Sequence, residues 1–163
     1  RRPRRRRSGR AEGRPDGAVV IPKKPPRPRD PFDPTWKVNP DTRTMRFLAL
    51  EGWTAGVVEQ AIHGTFIKRD FLGIADIIAC RPGAILAIQA TADTTGGNSG
   101  ARREKCAASP NLRAWMESGG LFAVWSWSVR KARGEKSRVT LRRWTAVIGP
   151  TGAYWTESEE RSS

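Results

Sequence analysis

The stretch DFLGIADIIACRPGAILAIQAT, from Asp70 to Thr91, decides the fold of this chain. It contains two apolar runs rich in β-forming residues, Ile74–Cys80 and Ala84–Ala90. Between them stands Arg81-Pro82-Gly83, a combination typical of a tight turn. The pattern therefore predicts a hairpin of two largely buried strands.

Two polar residues interrupt these strands, and a two-residue loop at Pro82-Gly83 would place Asp76 directly opposite Gln89 on one face. The register stays open, because Pro-Gly favours a type II turn whereas two-residue hairpins prefer the mirror-image turns. Burying either side chain unpaired would cost about 2–7 kcal/mol. A satisfied buried pair, a solvent contact at a strand end and a functional site all remain open as interpretations.

The composition indicates one domain with a tail and a polyanionic partner. The 163 residues carry a formal net charge of +14 and a sequence pI of about 11.2, which favours nucleic acid as the partner. No apolar run is long enough to span a bilayer, and no signal-peptide core is present, so we expect no membrane partner. Cys80 and Cys106 give neither a disulfide framework nor metal-ligand spacing, which favours a reducing compartment.

The chain divides into a basic arm at 1–34, a folded domain at 35–149 and a polar C-terminal tail at 150–163. The arm holds eight of the twelve prolines, and its twelve Lys/Arg minus four Asp/Glu give +8. Such a segment cannot bury enough apolar surface to offset its ordering entropy, which predicts disorder. It could bind phosphates through counterion release, or serve as a solubilising or localisation tail. Its candidate phosphate contacts are Arg4, Arg5, Arg6 and Arg7.

The remaining pattern predicts an α/β fold with a mixed central sheet in the order αβββαββ. A helix starts at Asn39-Pro40-Asp41 and stops at Gly52. A first strand, Trp53–Gln60, carries Glu59 near its end and precedes the hairpin. The elements after the hairpin are a helical region at 101–118, with a second piece beginning at Pro110, a strand at Leu121–Val129 and a last strand at Arg138–Ile148.

With Glu59, Asp76, Gln89 and a basic helix in this order, residues 42–148 resemble the PD-(D/E)XK nuclease superfamily. The likeness is to its Holliday-junction-resolvase-like and very-short-patch-like members, which have a restriction-endonuclease-like core. In that superfamily an aspartate on the second strand and an acidic-x-lysine triplet on the third meet at one sheet edge. Asp76 matches the aspartate, and Gln89-Ala90-Thr91 falls at the triplet.

The resemblance implies a site for Mg²⁺ or Mn²⁺. Its ligands would be Asp76, the Gln89 amide oxygen, the Ala90 carbonyl and a glutamate, for which we prefer Glu59 to Glu51. Oxygen ligands suit a hard divalent ion that activates water and neutralises the scissile phosphate.

Two departures from the family motif concern charge, since glutamine replaces the acid and Thr91 replaces the lysine. Lys68 is a candidate for the missing cation, as are Arg102, Arg103 and Lys105 at the start of the next helix. These three helix residues are also candidate nucleic-acid contacts, or simply a solvated helix face. Asp70 could join the metal site or pair with a neighbouring cation.

These expectations lead to a metal-dependent endonuclease acting on DNA, including branched or otherwise structured DNA. The alternatives are a catalytically silent nucleic-acid-binding module on the same fold and a structural packaging protein. The helical region within the strand series argues against the jelly roll of many coat proteins. The resemblance further implies a cytoplasmic, bacterial or phage-encoded setting, and a homodimer is considered as the assembly.

Overall fold

The computed structural model describes residues 29–58, 60–61, 64, 68–93, 98–131, 133–150 and 152–161. The predicted arm is therefore covered only from Arg29 onward, and the expectations for Arg4, Arg5, Arg6 and Arg7 lie outside the described residues. The same holds for Glu59.

The described chain is a mixed α/β structure built on one six-stranded sheet in the order β1-β4-β5-β6-β7-β8, with β2 and β3 paired separately. None of its helices is long and apolar enough to cross a membrane. Its elements are α1 (Pro40–Leu50), β1 (Thr54–Val57), β2 (Gln60–Ala61), β3 (Lys68–Arg69), β4 (Ile77–Arg81), β5 (Ala84–Ala92), α2 (Asn98–Ala107), α3 (Pro110–Glu117), β6 (Leu121–Arg130), β7 (Arg138–Gly149) and β8 (Gly152–Arg161).

The strand directions explain why the sheet is mixed. Strands β1, β4 and β5 form an antiparallel meander, as predicted. Helices α2 and α3 then carry the chain over the sheet, so β6 runs parallel to β5. A parallel neighbour needs such a crossover, whereas the antiparallel β6–β7 and β7–β8 pairs are joined by turns.

The predicted first strand, Trp53–Gln60, was wrong in its extent. Only Thr54–Val57 pairs with β4, and the chain then leaves the main sheet to form β2. The first predicted helical piece starts earlier than expected, at Asn98, and a break separates it from the second, which begins at Pro110 as predicted. A proline is tolerated in the first helical turn but not in the interior, which explains the break.

The prediction of a polar tail at 150–163 was also wrong, because Gly152–Arg161 is a full edge strand. Strand β8 is polar because its glutamates pair with β7: Glu159 lies 2.8 Å from Arg142, and Glu160 bonds Arg143. On the same face as Glu159, Trp155 packs against the ring of Phe122 at 6.1 Å between centroids. Charge pairing across strands therefore replaces the apolar alternation that sequence analysis looks for.

Residues 29–34, assigned to the arm, belong to the fold. The buried guanidinium of Arg43 donates to the carbonyls of Pro31, Asp33 and Trp36, which fixes this segment against α1. The ring of Phe32 packs edge-on against Phe47 at 5.7 Å. The folded part thus starts several residues before the predicted boundary at 35.

Helices cover both faces of the sheet, giving three layers. On one face α1 contributes Phe47 and Leu48 to a core with Ile88 and Trp125. On the other face the helices α2 and α3 pack over a second core that includes Leu112, Phe122 and Val124. Strand β5 lies between the two cores, which is why it reads as a nearly continuous apolar run.

Candidate active site

The hairpin has the predicted two-residue loop, and Asp76, which directly precedes β4, meets Gln89 through a side-chain hydrogen bond. Strands β4 and β5 pair from Ile77 with Ile88 to Arg81 with Ala84, which leaves Pro82-Gly83 as the loop. Gly83 has φ of 78°, and the proline ring fixes its own φ near −65°, so the turn is type II.

Hydrogen bonds hold Asp76 in place at the start of β4. Its backbone N–H donates to Ile88 O at 2.9 Å, and its carbonyl accepts from Val58 N at 2.8 Å. Its carboxylate Oδ2 accepts from the Ala90 N–H at 3.0 Å and from Nε2 of Gln89. The main chain on both sides of Asp76 therefore orients this carboxylate.

The environment of Asp76 favours the protonated form. The residue is only 7% exposed. Burial, followed by the Asp70 carboxylate, raises the pKa of Asp76 to about 7. The Ala90 N–H bond and Arg102 act in the opposite direction, and Asp41 adds a smaller repulsion. A buried carboxyl with an elevated pKa is a common feature of functional sites, and a nearby cation would return it to the charged form.

Only one of the two polar groups of the Gln89 amide is hydrogen-bonded. Its Nε2 donates to Asp76, but its Oε1 is buried without a hydrogen-bond partner, in a side chain that is 1% exposed. Among the described side chains the Ser126 hydroxyl shares this condition. An unpaired buried acceptor costs about 1–3 kcal/mol, so Oε1 is an atom that a ligand with positive charge would stabilise.

The backbone of Ala90, the next residue of β5, faces Asp76. Its N–H points to Asp76, and the N–H and C=O of one strand residue point the same way, so its carbonyl lies on the Asp76 side too. Thr91 is buried and shares the sheet face of Gln89. It is paired with Ser126, which is paired with Arg142 on β7.

The cations predicted for this region are divided among different contacts. Lys105 forms an ion pair with Asp70 at 3.2 Å, so Asp70 pairs with a cation of α2. Arg102 influences the Asp76 carboxyl electrostatically. The Arg103 guanidinium stacks over Trp144 at 4.7 Å from the ring centre. Lys68 lies in β3 opposite Ala61.

The structure separates the two candidate glutamates. Glu51 follows α1 and lies 3.6 Å from Arg143, whose guanidinium packs over Phe47 and Trp125 on the α1 face. Glu51 is therefore not beside Asp76. Glu59 follows Val58, the residue bonded to the Asp76 carbonyl, but its own placement is outside the described residues.

The donor set fits a hard cation only in part. The described ranges contain no group of three His, Cys, Asp or Glu side chains arranged to hold a metal ion. They do bring together one carboxylate, the orphaned amide oxygen of Gln89 and the side of β5 that carries the Ala90 carbonyl. Oxygen donors of these kinds suit Mg²⁺ or Mn²⁺.

Sequence analysis missed Ser126 and Arg142. Both extend the polar row of Thr91 across the sheet face that carries Gln89. A serine between two tryptophans on an otherwise buried strand was the available signal. Comparison with known proteins adds no name, since no family model, no curated protein and no solved structure matches the chain.

Proposed function

We propose that this protein is a metal-dependent endonuclease that hydrolyses DNA phosphodiester bonds on a restriction-endonuclease-like core. The observation that carries the proposal is the buried pair of Asp76 and Gln89, with a carboxyl of raised pKa beside an amide oxygen that lacks a partner. Both features impose a cost on the metal-free protein that a bound divalent ion would relieve.

The order of elements supports the same proposal. A helix, an antiparallel meander of three strands, a helical crossover and a parallel strand follow each other as the family resemblance implies. Asp76 stands at the start of the second meander strand, and Gln89 and Ala90 lie on the third. The additional strand β8 and the β2–β3 ribbon lie at or outside the sheet edges.

The residues would divide the chemistry among them. Asp76, Gln89 Oε1 and the Ala90 carbonyl would hold Mg²⁺ or Mn²⁺, with Glu59 as the expected further ligand. When bound, such an ion supplies an activated water and neutralises charge on the phosphate. Arg102 would stabilise negative charge near the carboxylate, because a preorganised cation costs no reorganisation at the moment of reaction.

Cleavage of plain, mismatched and branched DNA duplexes with Mg²⁺, Mn²⁺ or excess EDTA tests the proposal. We expect metal-dependent cleavage by the wild type and its loss in Asp76→Asn, which keeps the side-chain volume. Glu104→Gln is the matched control, because it removes an exposed acid from α2. Cleavage in EDTA, or an active Asp76→Asn protein, would refute a metal site at Asp76.

A second set of variants tests which cation substitutes for the lysine that Thr91 replaces. If a substitute cation acts at the site, Lys68→Ala, Arg102→Ala or Lys105→Ala should slow cleavage, and adding Thr91→Lys should partly restore it. Unchanged rates in all three single variants would show that none of these cations replaces the lysine.

A second candidate function is a catalytically silent DNA-binding module. It is favoured by the Gln89 amide, which uses its Nε2 to satisfy Asp76 without a metal. Calorimetric titration with Mn²⁺ distinguishes the two candidates, since the silent module should bind DNA but release no heat with Mn²⁺ at millimolar concentration.

A further inference from the structure

The turn between β6 and β7, residues 130–138, is strongly basic, and we call it the basic hairpin. Its five cations and one acid, Glu135, give a net charge of +4. The cations are Arg130, Lys131, Arg133, Lys136 and Arg138. Neither the metal site nor the predicted helix contacts account for this concentration of charge.

The basic hairpin projects from the sheet edge that bears the candidate active site. Strand β5 ends where Ala92 pairs with Trp127, so β6 continues past its neighbour. Gln89 is paired with Val124, and Arg130 lies six residues farther along β6. At about 3.3 Å per residue this is about 20 Å. The rise of B-DNA, about 3.4 Å per base pair, makes that distance about six base pairs.

Side chains of this region converge on one depression of about 260 Å³. It lies on the Gln89 side of the sheet, because Ser128 and Arg130 alternate in step with Val124 and Ser126. Glu135 pairs with Arg138, and Glu159 pairs with Arg142. Arg130 and Lys136 are exposed and have no carboxylate partner among the described residues. The lining residues are Ser128, Arg130, Glu135, Lys136, Arg138, Thr140, Arg142 and Glu159.

The first described residues of the chain lie beside the same hairpin. A cleft of about 1360 Å³ is lined on one side by residues 30 and 32–35 and on the other by Lys131 and residues 134–138. Arg29, the first described residue, directly precedes this cleft. The N-terminal segment of the fold, which carries Arg29, Asp30 and Asp33, therefore lies beside the basic hairpin.

We propose that the basic hairpin is a second contact for duplex DNA, binding its phosphates about six base pairs from the bond held at Asp76. The choice of DNA as the partner rests on the proposed function, whereas the charge and position of the basic hairpin do not. Arg130 and Lys136 supply the phosphate contacts, since they are the cations of the depression left without a carboxylate. Arg130 ends β6, and Lys136 lies two residues before the start of β7 at Arg138.

The test measures the affinity of the full chain for a 30-base-pair duplex in EDTA, at salt concentrations from 50 to 200 mM. The variant is Arg130→Gln/Lys136→Gln. Its control, Arg81→Gln/Arg113→Gln, removes the same charge from exposed positions at the opposite end of the sheet and on α3. Each lost phosphate contact lowers the logarithmic salt slope by about 0.9, so we expect a decrease of about 1.8 for the hairpin variant alone. Over this salt range the wild type should lose about tenfold more affinity than the variant.

The outcomes separate the inference from the proposed function. A wild type that binds the duplex with a slope equal to that of the hairpin variant overturns the inference and leaves the nuclease proposal intact. A wild type that fails to bind any duplex overturns both. Loss of affinity for anionic lipid vesicles, with duplex affinity unchanged, would assign the hairpin to a membrane surface and also overturn the inference.

Discussion

Substitution of Asp76 by asparagine should stabilise the metal-free protein above neutral pH. The Asp76 carboxyl is buried, and its pKa is raised from 3.8 to about 7, first by burial and then by Asp70. Asparagine has the same shape, and its amide oxygen can accept from Ala90 N and Gln89 Nε2 as Oδ2 does. The variant therefore keeps the two bonds and removes the buried charge.

The sign and size of the effect follow from proton linkage. Between pH 4 and 7 the folded state keeps the Asp76 proton while the unfolded chain has lost it, so wild-type stability falls as pH rises. Above about pH 7 both states are ionised and the loss is complete. From pH 5 to 8 the loss spans about two pKa units, or about 2.7 kcal/mol at 1.36 kcal/mol each. The asparagine variant has no such loss.

Urea unfolding of both proteins in EDTA at pH 5 and pH 8 measures this difference. The free energy of unfolding of the variant, minus that of the wild type, should increase by about 2.7 kcal/mol between the two pH values. Titrations common to both proteins cancel in this comparison. An equal difference at pH 5 and pH 8 would show that Asp76 is not a buried acid, and would remove the energetic reason for a cation there.

Three further predictions concern the boundaries, the core and the metal site. Deletion of residues 1–28 should leave the thermal midpoint unchanged, whereas deletion of 1–34 should cost at least about 3 kcal/mol by urea unfolding, because it removes Phe32 and its aromatic packing. Trp127→Phe should cost about 1–2 kcal/mol by the same measurement, since it breaks a buried indole bond of 2.8 Å to a threonine of α1. Gln89→Glu should lower the melting temperature in EDTA, through repulsion between adjacent buried carboxylates, and 10 mM Mg²⁺ should restore it; a melting temperature indifferent to Mg²⁺ would contradict the site.

The central hairpin could be predicted from sequence because its signals are local. Two β-rich runs around Pro82-Gly83 predict the two strands and the turn that bring Asp76 near Gln89. The helices and the strand after them followed from breaks in the pattern. All of these depend on residues that are near one another in the chain.

The edge strand β8 and the segment at 29–34 could not be predicted, because tertiary partners stabilise them. Glutamates in β8 find arginines on β7, and the charge of Arg43 is satisfied by backbone carbonyls of the N-terminal segment. In isolation each stretch is polar or proline-rich, which is typical of disordered chain. Their order comes from partners about ten or more residues away.

At the candidate site, sequence indicated the Asp76–Gln89 pair but not its state. The hairpin turn alone brings the two residues close together. Which of their atoms donate and accept hydrogen bonds depends on the tertiary structure. Ala90 N and Gln89 Nε2 both donate to Oδ2 of Asp76, and Oε1 of Gln89 has no hydrogen-bond partner. No periodicity in the chain carries that information.

Under the proposed function, Gln89 stands where the resembled superfamily has an acid, and its amide lets the site fold without a metal. Two carboxylates here would repel each other in a buried position, and the cost of leaving a buried charge unpaired is about 3–5 kcal/mol. An amide donor satisfies Asp76 instead, and the remaining cost is one unpaired oxygen, about 1–3 kcal/mol. The exchange also removes one negative ligand, so the same substitution that protects the metal-free fold weakens attraction for a divalent ion. We therefore expect Mg²⁺ to bind only at millimolar concentration, and Gln89→Glu to tighten that binding while destabilising the metal-free protein.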